Sequence, residues 1–294
     1  MTKRKTPRIR QPRDAHKRDK VDIIIPVYGG GRFLLECLKS LFEYNAGVEY
    51  NLVLVEDKGP EGLTLKEAFG LAQEHGAQVI FNRENLGFAG SNNVGARVGK
   101  APWILMLNSD TLITHDGWLK AMVSEGEQDP KVGVIGALLT FFPHEESWAP
   151  ASQIRPPGTV QHAGVVFDIM RRPYHIYLGW PADHPKVAQH REMNCVTGAC
   201  MMVRRTLWRR LGGLDTDYTK GNFEDVQFCM QARLAGFKVV FTPEARLHHY
   251  AGGSGNSETA QKNASLFQIK VGEYVMWDEW MYWGPEKYQH FNAR

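Results

Sequence analysis

The most informative acid of this sequence follows an apolar run that ends abruptly at polar residues. Trp103-Ile-Leu-Met-Leu107 is followed directly by Asn108, Ser109 and Asp110. Five large apolar residues in succession predict a strand buried on both faces. Asp110 then follows its carboxyl end, where open α/β sheets bind ligands. A carboxylate there can hold a divalent cation that neutralises a diphosphate, although an Asp that merely starts a turn fits this run equally well.

The segments before this strand alternate between strand and helix patterns, which predicts a parallel sheet flanked by helices. The carboxyl ends of such strands meet at one edge, so we expect Pro26, Asp57 and Asp110 to share a crevice. The turn over residues 82–93, rich in Gly and Asn, would offer backbone N–H groups to phosphate or sugar oxygens. The predicted strands are 21–26, 51–55 and 78–81, and the predicted helices are 32–44, 63–75 and 94–99.

The second half shows a further set of elements and a second pair of acids. Glu224 and Asp225 open a predicted helix over 226–235, where acids are ordinary partners of the helix dipole. Gly198 interrupts a predicted strand over 195–203 and marks a place where another group approaches the backbone. Residues 143–160, with four prolines, form a long loop of the kind associated with function or mobility. The other predicted elements are helices 118–128 and 204–211 and strands 132–135, 138–142 and 238–241.

Composition places the 294-residue chain, 43% hydrophobic, among soluble globular proteins. The net charge of +3 hides a basic segment, since residues 1–20 hold nine Lys or Arg against two Asp. We expect this tail to be disordered and to contact an anionic membrane surface or nucleic acid, or only to solubilise the chain. Neither a signal peptide nor a membrane-spanning run is apparent. Four cysteines without paired spacing favour reduced thiols in the cytoplasm.

Aromatic residues recur near the end of the chain. Trp277, Trp280 and Trp283 are spaced three apart. A stripe at this spacing favours packing against the body of the protein or against a second subunit in a homodimer, rather than contact with a ligand.

Seven short motifs stand in an order that resembles family 2 glycosyltransferases of the GT-A fold, in particular their rhamnosyltransferase-like branch. The resemblance covers about residues 20 to 255. It implies an α/β fold with a Rossmann-like nucleotide-sugar half (21–115), built on a mostly parallel central sheet, and an acceptor half (116–255) with a smaller mixed sheet. Residues 256–294 are then an aromatic C-terminal extension. The motifs are Pro26-Val-Tyr28, Glu56-Asp57, Asn85-Leu-Gly-Phe88, Asn108-Ser-Asp-Thr111, Thr197-Gly-Ala199, Phe223-Glu-Asp225 and His249-Tyr-Ala-Gly-Gly-Ser254.

The resemblance also implies roles for individual residues. Asp225 matches the catalytic base, and Asp57 matches the acid that reads the pyrimidine base of the donor. Asp110 matches the last acid of the metal-binding motif and His249 the late histidine, so together they would bind Mn²⁺ or Mg²⁺. Gly198 and Glu224 are expected on the acceptor side. The remaining donor-binding candidates are Pro26, Tyr28, Asn85, Asn92, Asn108 and Ser109.

The expected activity is inverting transfer of a sugar from a UDP- or dTDP-sugar to a hydroxyl acceptor. Such a transfer needs one carboxylate to accept the acceptor proton. A glycoside hydrolase would need two facing carboxylates, and a dinucleotide-dependent dehydrogenase would need a Gly-x-Gly-x-x-Gly pattern that Tyr28-Gly-Gly-Gly-Arg-Phe33 lacks. Glu56 and Lys58, which flank Asp57, depart from the commoner pattern and leave uridine against thymidine open.

Several acceptors fit the same enzyme class. The resemblance favours a polysaccharide or a lipid-linked glycan, with the basic tail at the inner face of the membrane. Alternatively the tail binds nucleic acid and the acceptor is a hydroxylated base, which would have to be flipped out of the stack. The alternative outside the enzymes is a protein that binds nucleotide sugars without catalysing transfer. The joint presence of Asp110, Asp225 and His249 counts against this alternative.

Overall fold

The computed structural model describes residues 21–142, 156–250 and 257–283. The predictions for the basic tail (1–20) and for most of the proline-rich loop (143–155) therefore lie outside the described residues, as do 251–256 and 284–294. Within the described ranges, a ten-stranded sheet and a separate two-stranded sheet are present. No helix of this part of the chain is long and apolar enough to cross a bilayer.

The first half of the chain alternates strictly between strands and helices. The strands β1 to β3 and the strand β4 pair only in parallel with one another, so their carboxyl ends lie at the same edge of the sheet. The apolar run that precedes Asp110 is β4, and all five of its residues are buried. The elements are β1 (Val21–Val27), α1 (Gly31–Glu43), β2 (Tyr50–Glu56), α2 (Leu63–Glu74), β3 (Gln78–Phe81), α3 (Gly87–Val98) and β4 (Trp103–Leu107).

The second half extends the same sheet with mixed pairing. Its long strands insert beside β4, so the central sheet runs β10-β12-β6-β11-β4-β1-β2-β3, while β8 and β9 form a small antiparallel sheet of their own. The elements are β5 (Thr111–Ile113), α4 (Trp118–Gln128), β6 (Val132–Phe141), β7 (Val160–His162), β8 (Val165–Phe167), β9 (Pro173–His175), β10 (Arg191–Met193), β11 (Cys200–Arg204), α5 (Arg205–Leu211), α6 (Glu224–Leu234), β12 (Lys238–His249), α7 (Ser257–Val271), a 3₁₀ turn (Gly272–Tyr274) and α8 (Trp280–Trp283).

Parallel pairing of β12 with β6 and antiparallel pairing of β11 with both β4 and β6 make this half mixed. The predicted fold class, α/β with a mostly parallel first half joined to a mixed second half, is confirmed. Two apolar clusters pack on the opposite faces of the sheet, as expected for strands covered by helices on both sides.

Several element boundaries differ from the sequence prediction. Strand β11 begins at Cys200 rather than at residue 195, so Gly198 lies in the turn before the strand and does not interrupt it. Helix α3 begins at Gly87, well before Val94, because Asp57 accepts hydrogen bonds from the N–H groups of Leu86 and Gly87 and so satisfies the first turn. The two strands predicted around residues 132–142 are one strand, β6, since Gly136 continues the strand where a Cβ would lie 2.5 Å from the Val196 side chain. Strand β12 continues to His249 and pairs with β5.

A buried ion pair joins the two halves of the chain, between the beginning of β1 and the beginning of α5. Asp22 and Arg205 are 0% and 5% exposed and form a salt bridge. Asp22 also accepts hydrogen bonds from Asn51 Nδ2 at 2.8 Å and from the Ala101 N–H at 3.0 Å. Because each buried charge is paired and hydrogen-bonded, neither carries the full cost of desolvation.

The predicted C-terminal stripe divides between packing and exposure. Trp283 packs edge-on against Tyr177 and Trp180, with ring centroids 5.1 and 5.4 Å apart. Trp277 and Trp280 stay 38% and 52% exposed. All four cysteines are buried and form no disulfide bond.

Candidate active site

The carboxyl edge of β1, β2 and β4 collects the residues predicted to meet the donor. Tyr28 follows β1 and is 61% exposed, and the Asp57 N–H donates to the Val27 carbonyl at 2.8 Å. The loop after β2 approaches the loop after β1 backbone to backbone, because a Cβ on Gly59 would lie 2.4 Å from the Gly29 nitrogen. Pro26, on β1, is partly exposed beside them. These loops therefore form one continuous wall at the edge of the sheet.

Asp57 is buried in this wall and holds the start of α3. Its Oδ1 accepts from Asn82 Nδ2 at 2.8 Å and from the Leu86 N–H at 2.7 Å, and its Oδ2 accepts from the Gly87 N–H at 2.8 Å. Asn85, which is exposed, also accepts from the Gly87 N–H, at 3.0 Å. The acid predicted to read a base is therefore also the acid that caps a helix.

Asn92 lies inside α3 rather than in a loop. Its side chain is fully buried and donates to the Phe88 carbonyl at 2.9 Å. Its Oδ1 has no hydrogen-bond partner among the described residues. The structure thus places Asn92 beneath the surface that the other donor candidates line.

On the other side of β4, Asp110 meets His249, the last residue of β12. Asp110 Oδ1 lies 3.1 Å from His249 Nε2, and Asn108 Nδ2 lies 3.2 Å from the same nitrogen. Both side chains are mostly buried, with 23% of Asp110 and 12% of His249 exposed. Burial opposes ionisation of Asp110, but the neighbouring His249 and hydrogen bonds outweigh it and lower the pKa of Asp110. Ser109, between Asn108 and Asp110 in the chain, is partly exposed.

Gln161 fixes the orientation of His249 from behind. Its Oε1 lies 2.5 Å from His249 Nδ1, and its Nε2 donates to the His249 carbonyl at 3.0 Å. With the proton of the neutral ring on Nδ1, as the contact with Gln161 Oε1 favours, the Nε2 lone pair is available to a cation bound together with Asp110. Gln161 was not among the predicted site residues, since it follows directly on the segment assigned to the long loop.

This arrangement suits a divalent cation. An imidazole nitrogen and a carboxylate oxygen are ligands that Mn²⁺ accepts, and adjacent ligands about 2.1 Å from an octahedral ion are about 3 Å apart, close to the 3.1 Å seen here. A hydrogen-bonded partner behind the ligating His is the usual support of a metal site. No cluster of three or more His, Cys, Asp or Glu side chains suited to a metal occurs among the described residues. Two protein ligands would leave the other positions to diphosphate oxygens and water.

Asp225, at the start of α6, is held in a single orientation. Its Oδ2 accepts from the Gly198 N–H at 2.6 Å and its Oδ1 from the Val226 N–H at 2.8 Å. Burial raises the pKa of Asp225, although these hydrogen bonds and the nearby His175 act in the opposite direction. The side chain remains partly exposed. A carboxylate with a raised pKa and an open face is suited to accept a proton.

Glu224, next to it, is 4% exposed and one of its oxygens has no hydrogen-bond partner among the described residues. Burial and the charge of Asp225 raise the pKa of Glu224 to about 8. Glu224 is therefore protonated at neutral pH, which leaves Asp225 as the member of the pair that ionises first.

The turn over residues 197–199 contacts both the segment that carries Asp110 and the carboxylate of Asp225. The Asn108 N–H donates to the Ala199 carbonyl at 2.9 Å, while the adjacent Gly198 N–H binds Asp225. A Cβ on Gly198 would lie 3.0 Å from the Phe88 ring and 3.2 Å from Asp225 Cβ. The turn thus contacts Asn108, two residues before Asp110, as well as Asp225, and only glycine at 198 lets Phe88 approach it closely.

Two further histidines, also absent from the predictions, lie beside this turn. The His162 and His175 ring centroids are 4.8 Å apart, His162 Nε2 accepts from the Thr197 N–H at 3.3 Å, and His175 Nδ1 lies 3.0 Å from the Gln161 carbonyl. Burial lowers the pKa of both. Neutral imidazoles here add hydrogen bonds without adding charge. In the sequence, Gln161 and His162 are consecutive polar residues that stand in no motif.

Comparison with solved structures defines the class to which this geometry belongs. The chain is similar to GalNAc-T7, solved with UDP, GalNAc and Mn²⁺, with a TM-score of 0.66, 17% identity, and 90% of this chain and 49% of that chain covered. It is also similar to the mannosyltransferase PcManGT of Pyrobaculum calidifontis, solved with GDP-Man and Mn²⁺, with a TM-score of 0.61, 17% identity, and 95% and 72% covered. The fold is therefore the GT-A fold.

The match to a protein-family model covers a shorter part of the chain than the structural matches do. The model of the family described as "Glycosyl transferase family 2" matches residues 22–212. The chain belongs to glycosyl transferase family 2, and the resemblance seen in its motifs is confirmed.

Individual relatives are distant. The chain is 27% identical to protein y4gI of Sinorhizobium fredii, covering 83% of this chain and 26% of that protein. It is 26% identical to the O-antigen biosynthesis protein RfbC of Myxococcus xanthus, covering 81% and 18%. It is 24% identical to the N-acetylglucosaminyl-diphospho-decaprenol L-rhamnosyltransferase of Mycobacterium tuberculosis, covering 88% and 86%. The chain thus spans about a quarter or less of the first two relatives.

Proposed function

We propose that this protein is a metal-dependent, inverting glycosyltransferase that moves a sugar from a UDP- or dTDP-sugar to a hydroxyl acceptor. One observation carries the proposal. The backbone of the 197–199 turn bonds both regions of the site, since Ala199 accepts from the N–H of Asn108, two residues before Asp110, and Gly198 donates to Asp225, while Asp110 contacts His249. A diphosphate and an acceptor hydroxyl need two such regions, because the leaving group and the attacking oxygen stand on opposite faces of the sugar.

Asp110 and His249 would hold Mn²⁺ or Mg²⁺, and the cation would offset the charge that develops on the departing nucleoside diphosphate. The chain's own part is orientation. Gln161 keeps His249 turned toward Asp110, and Asn108 adds a polar group within 3.2 Å of the same imidazole nitrogen. This pre-ordering spares the site from reorganising when charge develops.

Asp225 would accept the proton of the acceptor hydroxyl. Its hydrogen bonds to the Gly198 and Val226 N–H groups fix the carboxylate, and burial raises its pKa toward the working pH, which favours proton transfer. Glu224 and Gly198 are the acceptor-side candidates next to it. Gly198 would serve there by holding the Asp225 carboxylate through its N–H.

The donor is assigned to the wall formed by the loops after β1 and β2. Pro26, Tyr28, Asp57, Asn85, Asn92, Asn108 and Ser109 are its candidate contacts. Asp57 uses both oxygens to hold α3, so base recognition by this acid would occur through the remaining lone pairs. The identity of the base, uracil or thymine, is decided by the donor panel below.

For the acceptor we propose a polysaccharide or a lipid-linked glycan, which is supported by the printed names of two relatives, one in O-antigen biosynthesis and one acting on a decaprenol-linked sugar. A cytoplasmic protein at the inner membrane face fits this acceptor. The tail that would contact lipid or nucleic acid, residues 1–20, lies outside the described residues. Exposed Trp277 and Trp280 provide a surface for the predicted homodimer, which sedimentation equilibrium would test.

The central test pairs a donor panel with Asp225→Asn. Wild-type protein is incubated with Mn²⁺ and UDP- or dTDP-sugars, and sugar release is measured with and without glycan acceptors. Asp225→Asn should lower transfer by about 10²- to 10⁴-fold, while donor binding by calorimetry changes little. Wild-type turnover retained by Asp225→Asn would remove Asp225 as the base, and absence of donor binding by the wild type would overturn the proposal as a whole.

A further inference from the structure

The loop that leads into Asp225 has an unusual backbone. Four consecutive residues, Lys220, Gly221, Asn222 and Phe223, have positive φ angles of 61°, 106°, 86° and 76°. Three of them are not glycine, and residues with a Cβ rarely adopt this region because the Cβ crowds the following carbonyl oxygen. A run of this kind persists only where neighbouring groups hold it, so the groups that do so determine where α6 begins.

Asn263, on α7, is the main group on the outer side of this loop. Its side chain is 2% exposed, and Nδ2 lies 3.2 Å from the Thr219 carbonyl oxygen, 2.8 Å from that of Gly221 and 3.2 Å from that of Asn222. An amide nitrogen carries two hydrogens, so one of the three bonds is shared. A single side chain thus satisfies three carbonyl oxygens of the strained backbone.

The inner side of the loop touches both halves of the candidate site. The Glu224 carboxyl lies against the loop, since a Cβ on Gly221 would lie 3.6 Å from Glu224 Oε1. On the donor side, the loop contacts the start of α3, since a Cβ on Gly87 would lie 3.2 Å from the Lys220 nitrogen. The loop is therefore packed between α7 and the helix that Asp57 holds, and any relaxation of it would move the beginning of α6.

A second contact joins α7 to the same region. Lys270 Nζ lies 2.5 Å from Asp215 Oδ2 and 2.6 Å from Asp217 Oδ2. Helix α7 thus binds the chain just before the loop through Lys270 and the loop itself through Asn263. Both residues lie beyond residue 212, where the match to the family model ends.

We infer that Asn263 is a positioning residue for Asp225: by holding the 219–222 carbonyl oxygens, it sets the placement of the carboxylate at the start of α6. The inference rests on the proposed function, in which Asp225 accepts the acceptor proton. It assigns α7 to the catalytic unit rather than to a separate extension. The amide of Asn263 acts through the backbone and does not itself touch the substrate.

Three variants separate hydrogen bonding from packing. Asn263→Asp keeps the shape but replaces the donor with a carboxylate facing three carbonyl oxygens, Asn263→Ala removes the group, and Asn263→Ser keeps one donor. Ser265→Ala, exposed on the same helix, is the control. We expect kcat to fall roughly 10- to 100-fold, as for small misplacements of a reacting group, with Asp at least as severe as Ala and Ser milder. The donor dissociation constant should change less than about threefold, well under a factor of ten in binding.

A readout independent of turnover keeps this inference distinct from the proposed function. Hydrogen exchange of the amides in 219–226 should become faster in Asn263→Ala and stay unchanged in Ser265→Ala, whether or not a donor has been found. Circular dichroism identifies any variant that fails to fold, and the Ser and Ala variants then carry the comparison. Unchanged exchange, or an Asp variant with wild-type kcat, would overturn the inference. Faster exchange in a chain that binds no nucleotide sugar would instead contradict the proposed function alone.

Discussion

Replacing Glu224 with Gln should stabilise the protein at high pH and not at low pH. Glu224 is 4% exposed and adjacent to Asp225, and burial together with that charge raises its pKa from 4.5 to about 8. Folding therefore retains a proton that the unfolded chain releases, so the wild-type protein loses stability as pH rises from about 4.5 to about 8. Gln has nearly the same shape as a protonated Glu and never ionises.

The magnitude follows from the same shift. Between pH 5 and pH 8, a carboxyl whose pKa rises from 4.5 to about 8 on folding costs roughly 3 to 4 kcal/mol of unfolding free energy. At roughly 2 °C per kcal/mol for a chain of this size, the Tm advantage of Glu224→Gln over wild type should grow by about 7 °C across that range.

Differential scanning fluorimetry of both proteins at half-unit pH steps measures this difference. Glu67→Gln, at an exposed position on α2, removes the same formal charge and is the control, with a Tm difference from wild type that should not vary with pH. A Glu224→Gln advantage equally independent of pH would refute the argument that Glu224 is held protonated by burial. A variant less stable than wild type at pH 8 would show that its carboxylate is needed in ionised form.

Three further outcomes follow from the site and the fold. Asp110→Ala should weaken donor binding only when Mn²⁺ or Mg²⁺ is present, measured by calorimetry with and without chelator; an unchanged metal dependence would exclude Asp110 as a ligand. Gln161→Ala should lower Mn²⁺ affinity in the presence of UDP by roughly 10- to 100-fold, since the residue only orients His249; a wild-type affinity would show that the imidazole needs no such support. Arg205→Met should destabilise the chain by about 3–5 kcal/mol in urea unfolding, because Asp22 would be left as an unpaired buried charge; a loss below 1 kcal/mol would mean that Asn51 and Ala101 suffice.

Local patterns in the sequence predict most of the nucleotide half. Each strand there is a short apolar run and each helix has an apolar face, and parallel pairing follows from their alternation, so the edge that carries Asp57 and Asp110 could be inferred. The start of α3 could not, because its first N–H groups are satisfied by Asp57, a residue 30 positions away from Gly87 along the chain. Gly136 was misleading for a similar reason, since its partner Val196 is distant in sequence.

The site was predicted where a motif marks it and missed where only packing does. Asp110, His249 and Asp225 stand in short motifs; Asp110 contacts His249, and Asp225 accepts from the Gly198 N–H, while their catalytic roles stay predictions. Gln161 carries no motif and owes its place to the pairing of β7 with β6. Asn263 lies beyond the family's matched range. Supporting residues of this kind depend on tertiary contacts, which residue spacing does not encode.

The start of α3 is the point at which the two halves of the site are mechanically joined. Asp57 holds the N–H groups of residues 86 and 87 from the donor side, Gly87 contacts the loop before α6, and Phe88 packs against Gly198, which binds Asp225. A base that engaged Asp57 would therefore act on the same backbone that locates the proposed proton acceptor. Since such coupling is reciprocal, an acceptor that displaced the loop before α6 would act on Asp57 in the same way.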